Sequence, residues 1–152
     1  MLIIERSTDA LGCVWRSELE LAALPRNVSY ARKHVRFVLH EWGLDDSAEA
    51  IELVVSELVT NAVRATNDLK ESPERGTVDD SPKVQLWLHA DEGHVCVQVW
   101  DANNEMSLHK EFDPSAENGR GLLIVDSICE GYGVYGLESG CGKIVWGRVR
   151  VG

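Results

Sequence analysis

Residues 15–21, WRSELEL, alternate Trp15, Ser17, Leu19 and Leu21 with Arg16, Glu18 and Glu20, the period of two that suits a half-buried β-strand. Pro25 and Asn27 end it. From Val28 the period changes: positions 28, 31, 35, 38 and 42 are apolar and describe one face of an amphipathic helix, which Gly43 stops. Asp46 followed by Glu49 reads as a capping box with Asp in place of Ser or Thr, opening a second helix that runs to about Thr66. Residues 67–82, NDLKESPERGTVDDSP, show no period and carry two prolines and a glycine, the composition of a surface loop. KVQLWLH and HVCVQVWD then alternate Val84, Leu86, Leu88 and Val95, Val97, Val99 around the short connection ADEG, which predicts an antiparallel hairpin. A polar stretch, ANNEMSLHKEFDPSAEN, leads to a third helix that opens at a glycine pair, with apolar positions 122, 125 and 128. VYGLES, a GCG turn and KIVWGRVRV predict a closing hairpin.

Helix, helix, hairpin, helix, hairpin, with no internal repeat, predicts an α+β fold: a two-layer sandwich with helices on one face of a mainly antiparallel mixed sheet. Residues 15–152 read as a single domain, and 1–14 as an N-terminal extension or edge strand. At 152 residues and 44% apolar composition the chain can bury a core without disulfides or a structural metal. The formal charge of -10 argues against direct nucleic-acid binding, because a phosphate backbone is repelled by most of such a surface. Cys13, Cys96, Cys129 and Cys141 lie far apart with no CxxC pair, and read as reduced thiols of a cytoplasmic protein. No basic n-region precedes an apolar core, and no run approaches the roughly 20 apolar residues of a membrane span.

Two glycine patterns carry no nucleotide reading. GYGVYG at 131–136 matches G-x-G-x-x-G but follows a helix and leads into a strand, the reverse of the order that brings glycines to a pyrophosphate. GCGK at 140–143 lacks the spacing and the Ser or Thr of a P-loop, so Lys143 reads as a strand residue after a turn. A different constellation has the right order. In SELVTNAVRAT, Glu57 and Asn61 stand one helical turn apart on the rim of the apolar arc Ile51, Val54, Val55, Leu58 and Ala62. Asp101 ends a strand, where a carboxylate can leave the sheet and face a cavity. Gly119, Arg120 and Gly121 open a helix whose free N–H groups and dipole favour an anion such as phosphate. Together these residues describe a nucleotide pocket.

At these positions the chain resembles the GHKL (Bergerat-fold) ATPase superfamily, and within it the bacterial anti-sigma regulatory factor group of serine/threonine protein kinases. VVSELVTNAV is similar to that group's N-box, VQVWDANN to its first glycine box, ENGRGLLIVDSI to its second, and SYAR and GKIVWGRV to further patches. The resemblance spans about residues 15–150. It implies ATP and Mg2+ as cofactors, with Glu57 as general base towards the attacking hydroxyl and Asn61 holding the metal. Asp101 would accept a hydrogen bond from the adenine amino group. Gly119, Arg120 and Gly121 would form the hinge and phosphate contact of a lid, Asn103 and Leu122 would complete the nucleotide contacts, and Arg32 would lie near the phosphoryl acceptor or a partner protein. The implied partners are a sigma factor and its anti-sigma-factor antagonist of the STAS type, with a homodimer usual in the group. One departure stands out: where the first glycine box continues D-x-G-x-G, this chain has Asp101-Ala102-Asn103-Asn104. Three readings follow: a kinase acting on the antagonist, a module that sequesters a partner without turnover, and, more weakly, a histidine-kinase catalytic domain.

Overall fold

Alternation along the strands sorts their side chains into a face that meets the helices and a face that does not. In the strand Gly12–Ala22 (β2), Ser17, Leu19 and Leu21 are buried while Arg16 and Glu20 are exposed. In Lys83–Asp91 (β3) the buried set is Val84, Leu86, Leu88 and Ala90, and in His94–Asp101 (β4) it is Val95, Val97, Val99 and Asp101. The computed structural model describes residues 2–9, 12–69, 82–106 and 119–152. With Leu2–Asp9 (β1), Gly131–Gly136 (β5) and Lys143–Arg150 (β6) these strands form one sheet in the order β1-β2-β3-β4-β6-β5. Every pairing in it is antiparallel. The fold is therefore α+β as expected, with β1 at one edge and β5 at the other.

Among the described residues, three α-helices cover the sheet: Asn27–Glu41 (α1), Ala48–Asn67 (α2) and Gly119–Ile128 (α3). α2 lies centrally, packed against β4 and flanked by the other two. Its Ile51, Val54, Val55, Leu58, Val59, Ala62 and Val63 are buried against Val95, Val97 and Val99, each large aliphatic side chain contributing about 1.5–3 kcal/mol. α1 joins β2 through a 3.0 Å hydrogen bond between Ser17 Oγ and His34 Nε2. Gly43, at φ 73°, supplies the left-handed stop that ends the α1 region.

The expected capping box is not formed. Asp45–Ser47 make a 3-10 turn, α2 begins at Ala48 after Ser47, and no side chain caps its first N–H groups. Asp46 lies inside the tight turn, one residue ahead of the cap position. Neighbouring Asp45 is bonded instead to His40 Nδ1 at 2.9 Å. Residues 70–81 of the predicted surface loop and 107–118 ahead of α3 lie outside the described residues.

Candidate functional site

The direction in which Asn61 points follows from what its flank of α2 touches. Arg36 of α1 binds Glu52 Oε2 at 2.8 Å, so α1 occupies the Glu52 side of α2. Asn61 is nine positions further on, about 180° around a helix with roughly 100° per residue, and so stands on the opposite flank. Two contacts identify that flank. Val54 of α2 and Val125 of α3 converge on Gly147 of β6, where a Cβ would sit 3.4 and 3.9 Å from them. One turn after Asn61, the Ala65 carbonyl accepts a 2.8 Å hydrogen bond from Asn103 Nδ2, in the loop that leaves β4. The Asn61 flank thus faces both α3 and the segment that follows Asp101. Glu57 lies one turn earlier on the same rim, and both residues are half-buried.

Asp101 ends β4 opposite Lys143, the first residue of β6, on the helix-bearing face of the sheet. Its carboxylate is completely buried. Oδ1 accepts from Lys143 Nζ at 3.0 Å and from the Asn103 N–H at 2.9 Å. Oδ2 is buried with no hydrogen-bond partner among the described residues. Burial raises the carboxyl above the usual aspartate range, opposed by the hydrogen bond and charge of Lys143 and by the Asn103 N–H. A buried acceptor left unsatisfied costs about 1–3 kcal/mol, and a ligand N–H donor placed there recovers it. The exocyclic amino group of adenine is such a donor, so the geometry fits the adenine contact expected of Asp101.

The Asp101–Asn104 segment is held on several sides. Asn103 Oδ1 accepts from the Glu105 N–H at 2.9 Å, which closes an Asx turn and, with the Ala65 contact, occupies both ends of its side-chain amide. Asn103 therefore holds its own chain through its side chain and, through its N–H to Asp101 and its carbonyl to Lys143, through its backbone as well. Asn104 Oδ1 accepts from the Gly142 N–H at 2.7 Å, Trp100 Nε1 donates to the Cys141 carbonyl at 3.0 Å, and Lys143 Nζ donates to the Asn103 carbonyl at 3.0 Å. Gly142, at φ 88°, allows this approach: a Cβ there would collide with the Asp101 carbonyl and the Trp100 indole. Sequence reasoning placed Lys143 in a strand but missed its charge partner. β4 and β6 are joined through α3 and β5, so their register is not readable from a hairpin.

Gly119 opens α3 as expected, and Gly119–Leu122 form its first turn. Their side chains, that of Arg120 included, lie outside the described residues. The first-turn N–H groups of a helix lack intrahelical acceptors and attract anions, which suits a phosphate at this point. Among the described residues no three His, Cys, Asp or Glu side chains could hold a metal together. The chemistry implied for Asn61 is compatible with that, since Mg2+ takes few protein ligands and completes its shell with phosphates and water.

The resemblance puts Arg32 near the phosphoryl acceptor or a partner protein. The residue is exposed on α1, one turn after Val28, and α1 packs on the other flank of α2. Val28 there lines a hollow of about 320 Å3 with Pro25, Thr60, Val63, Arg64 and Asn67. No helix among the described residues is long and apolar enough to cross a membrane.

No curated protein matches the chain. The family model of the histidine kinase-like ATPase domain matches residues 21–146, which include α1, α2, the Asp101 loop, the start of α3 and Lys143. That span is most of the chain and contains every residue of the site, so the protein belongs to the histidine kinase-like ATPase domain family, within the GHKL superfamily.

Proposed function

We propose that this protein is an ATP-binding anti-sigma regulatory factor with serine/threonine protein kinase activity towards a STAS-type anti-sigma-factor antagonist, controlling a sigma factor by partner switching. The observation that carries the reading is the placing of Glu57 one turn from Asn61, on the flank of α2 that faces α3 and the Asp101 loop. A carboxylate there can act as general base towards a hydroxyl that approaches the nucleotide's terminal phosphate. Glu57 would take the proton of a Ser or Thr hydroxyl as its oxygen accepts the phosphoryl group and ADP leaves, Asn61 would hold Mg2+, the α3 N-terminus would receive the phosphates, and Asp101 Oδ2 would accept from the adenine amino group. When bound, Mg-ATP supplies the transferable phosphoryl group and the charge neutralisation its transfer needs. The protein's share is positioning and electrostatics, which few residues can provide. Arg32, on the other flank of α2, serves the protein partner in this scheme, and the reading locates the protein in the cytoplasm.

A second reading is a nucleotide-binding module that sequesters a regulatory protein without turnover. The many hydrogen bonds that hold Asp101–Asn104, where the resembling group has glycines, favour it.

Two substitutions separate the readings. Glu57→Ala is expected to keep Mg-ATP and partner binding and to lower phosphate transfer by about a hundredfold or more. Asn61→Ala is expected to weaken Mg-ATP itself. The assay is nucleotide calorimetry alongside phosphate transfer to the antagonist copurified from the native cell. If Glu57→Ala transfers phosphate like wild type, the general-base role of Glu57 is lost. If wild type binds Mg-ATP and its partner but transfers nothing, the sequestering module is the function.

A further inference from the structure

Lys143 is buried at the start of β6, yet stability alone does not require a cation there. A buried ion pair is on average no more stabilising than two apolar side chains of the same volume, because both ions lose their water. The pair with Asp101 is also asymmetric. Lys143 Nζ and the Asn103 N–H both bond Oδ1, while Oδ2 of the same carboxylate is buried and has no partner among the described residues. A carboxylate whose two donors converge on one oxygen is fixed in rotation and presents the other oxygen in one direction. The same ammonium donates to the Asn103 carbonyl. Asn103 in turn reaches the Ala65 carbonyl, one turn beyond Asn61. Lys143 therefore sets the carboxylate and also fastens the loop that joins it to the Asn61 flank of α2.

We propose that Lys143 is the positioning residue for purine selection: it holds Asp101 with Oδ2 aimed at the amino group of an adenine base, and so makes the site prefer adenine to guanine nucleotides. A base with an amino group at this position satisfies Oδ2. Guanine presents a carbonyl oxygen there, which brings a second acceptor against a buried acceptor and is rejected. Lys143 acts through Asp101, with no contact to the base required. The inference rests on the nucleotide-binding reading of the site and deepens it.

The test is a double-mutant cycle read by calorimetric titration of Mg-ATP and Mg-GTP into wild type, Lys143→Met, Asp101→Asn and the double variant, with folding checked by circular dichroism. Lys143→Met is expected to weaken ATP by about tenfold, the scale of one charge-assisted hydrogen bond, while GTP changes little, so that the preference shrinks. In the Asp101→Asn background the same substitution should change ATP affinity less than about twofold, because the carboxylate it positions is already gone. Lys143→Arg, which keeps a cation and donors, should retain the preference. If Lys143→Met does not hold its fold, Lys143→Gln takes its place in the cycle. A purely structural lysine would weaken both nucleotides alike, and by the same factor in both backgrounds. Either that result or an unchanged ATP preference in folded Lys143→Met overturns the proposal. Absence of ATP binding by wild type would instead remove the nucleotide reading itself, and this proposal with it.

Discussion

The two ends of β4 carry ionic contacts of similar composition in opposite surroundings. At its start, His94 Nε2 is 2.7 Å from Glu130 Oε2, Arg148 Nη2 approaches His94 Nδ1 at 3.2 Å, and Arg150 lies 3.8 Å from Glu130. Arginine can only donate, so Nδ1 accepts from Arg148 and Nε2 faces Glu130 in a surface network. At its end, Asp101 and Lys143 pair at 3.0 Å with side-chain exposures of 0% and 6%, against 44% and 74% for Glu130 and Arg150. Water solvates either partner of the exposed set when the other is removed. Nothing does so for the buried pair. The same strand thus carries an exposed ion cluster at one end and a buried ion pair at the end that holds Asp101.

The largest expected effect breaks this contrast directly. Lys143→Met should destabilise the fold by about 3–5 kcal/mol in urea titration, because it leaves a buried carboxylate without its counter-ion, and adding Asp101→Asn should restore part of the loss. Arg150→Ala, at the other end, should change stability by less than about 1 kcal/mol. Comparable losses at both ends would mean that burial does not separate the two clusters.

A middle-sized effect lies in the turn that delivers Lys143. Gly140 and Gly142 both have positive φ, 75° and 88°, but an added Cβ meets open space at Gly140 and meets Asp101 and Trp100 at Gly142. Gly140→Ala should therefore carry only the backbone strain, about 1–2 kcal/mol, whereas Gly142→Ala should exceed it and also weaken ATP by displacing Lys143. Thermal melts with and without Mg-ATP measure both.

The smallest effects concern protons, and they repeat the contrast of buried and exposed along α1. Burial lowers His34 below 6.5, and the hydrogen bond and charge of Asp45 raise exposed His40 above it. For His34 the folded state binds fewer protons than the unfolded one. Its contribution is present above pH 6.5 and is lost as pH falls through the lowered value. For His40 the folded state binds more, so its contribution is full below 6.5 and is lost as pH rises through the raised value. Melting temperature followed from pH 8 to pH 5 should consequently fall less steeply in His34→Gln than in wild type, and more steeply in His40→Ala. A wild-type slope in both would remove these two groups from the pH dependence.

Much of this architecture is legible in the chain. Period two in WRSELEL, KVQLWLH and HVCVQVWD and period 3.6 in α1 and α2 reflect the one-sided burial that creates them, so each element can be read locally. The constellation of Glu57, Asn61, Asp101 and Gly119–Gly121 is legible too, because spacing along a helix and position at an element's end are local properties. The missing capping box shows the limit of such reading: Asp46 and Glu49 have the right spacing, but the chain entering α2 takes a 3-10 turn that no spacing rule records. Tertiary structure alone decided which flank of α2 receives α1. It also brought Lys143 onto Asp101 across 42 positions of sequence and committed the Asn103 amide to Ala65. The physical reason is common to these cases. Periodicity is set by each element's own burial, whereas a pairing between distant strands or a contact across helix flanks is set by packing that no single element contains.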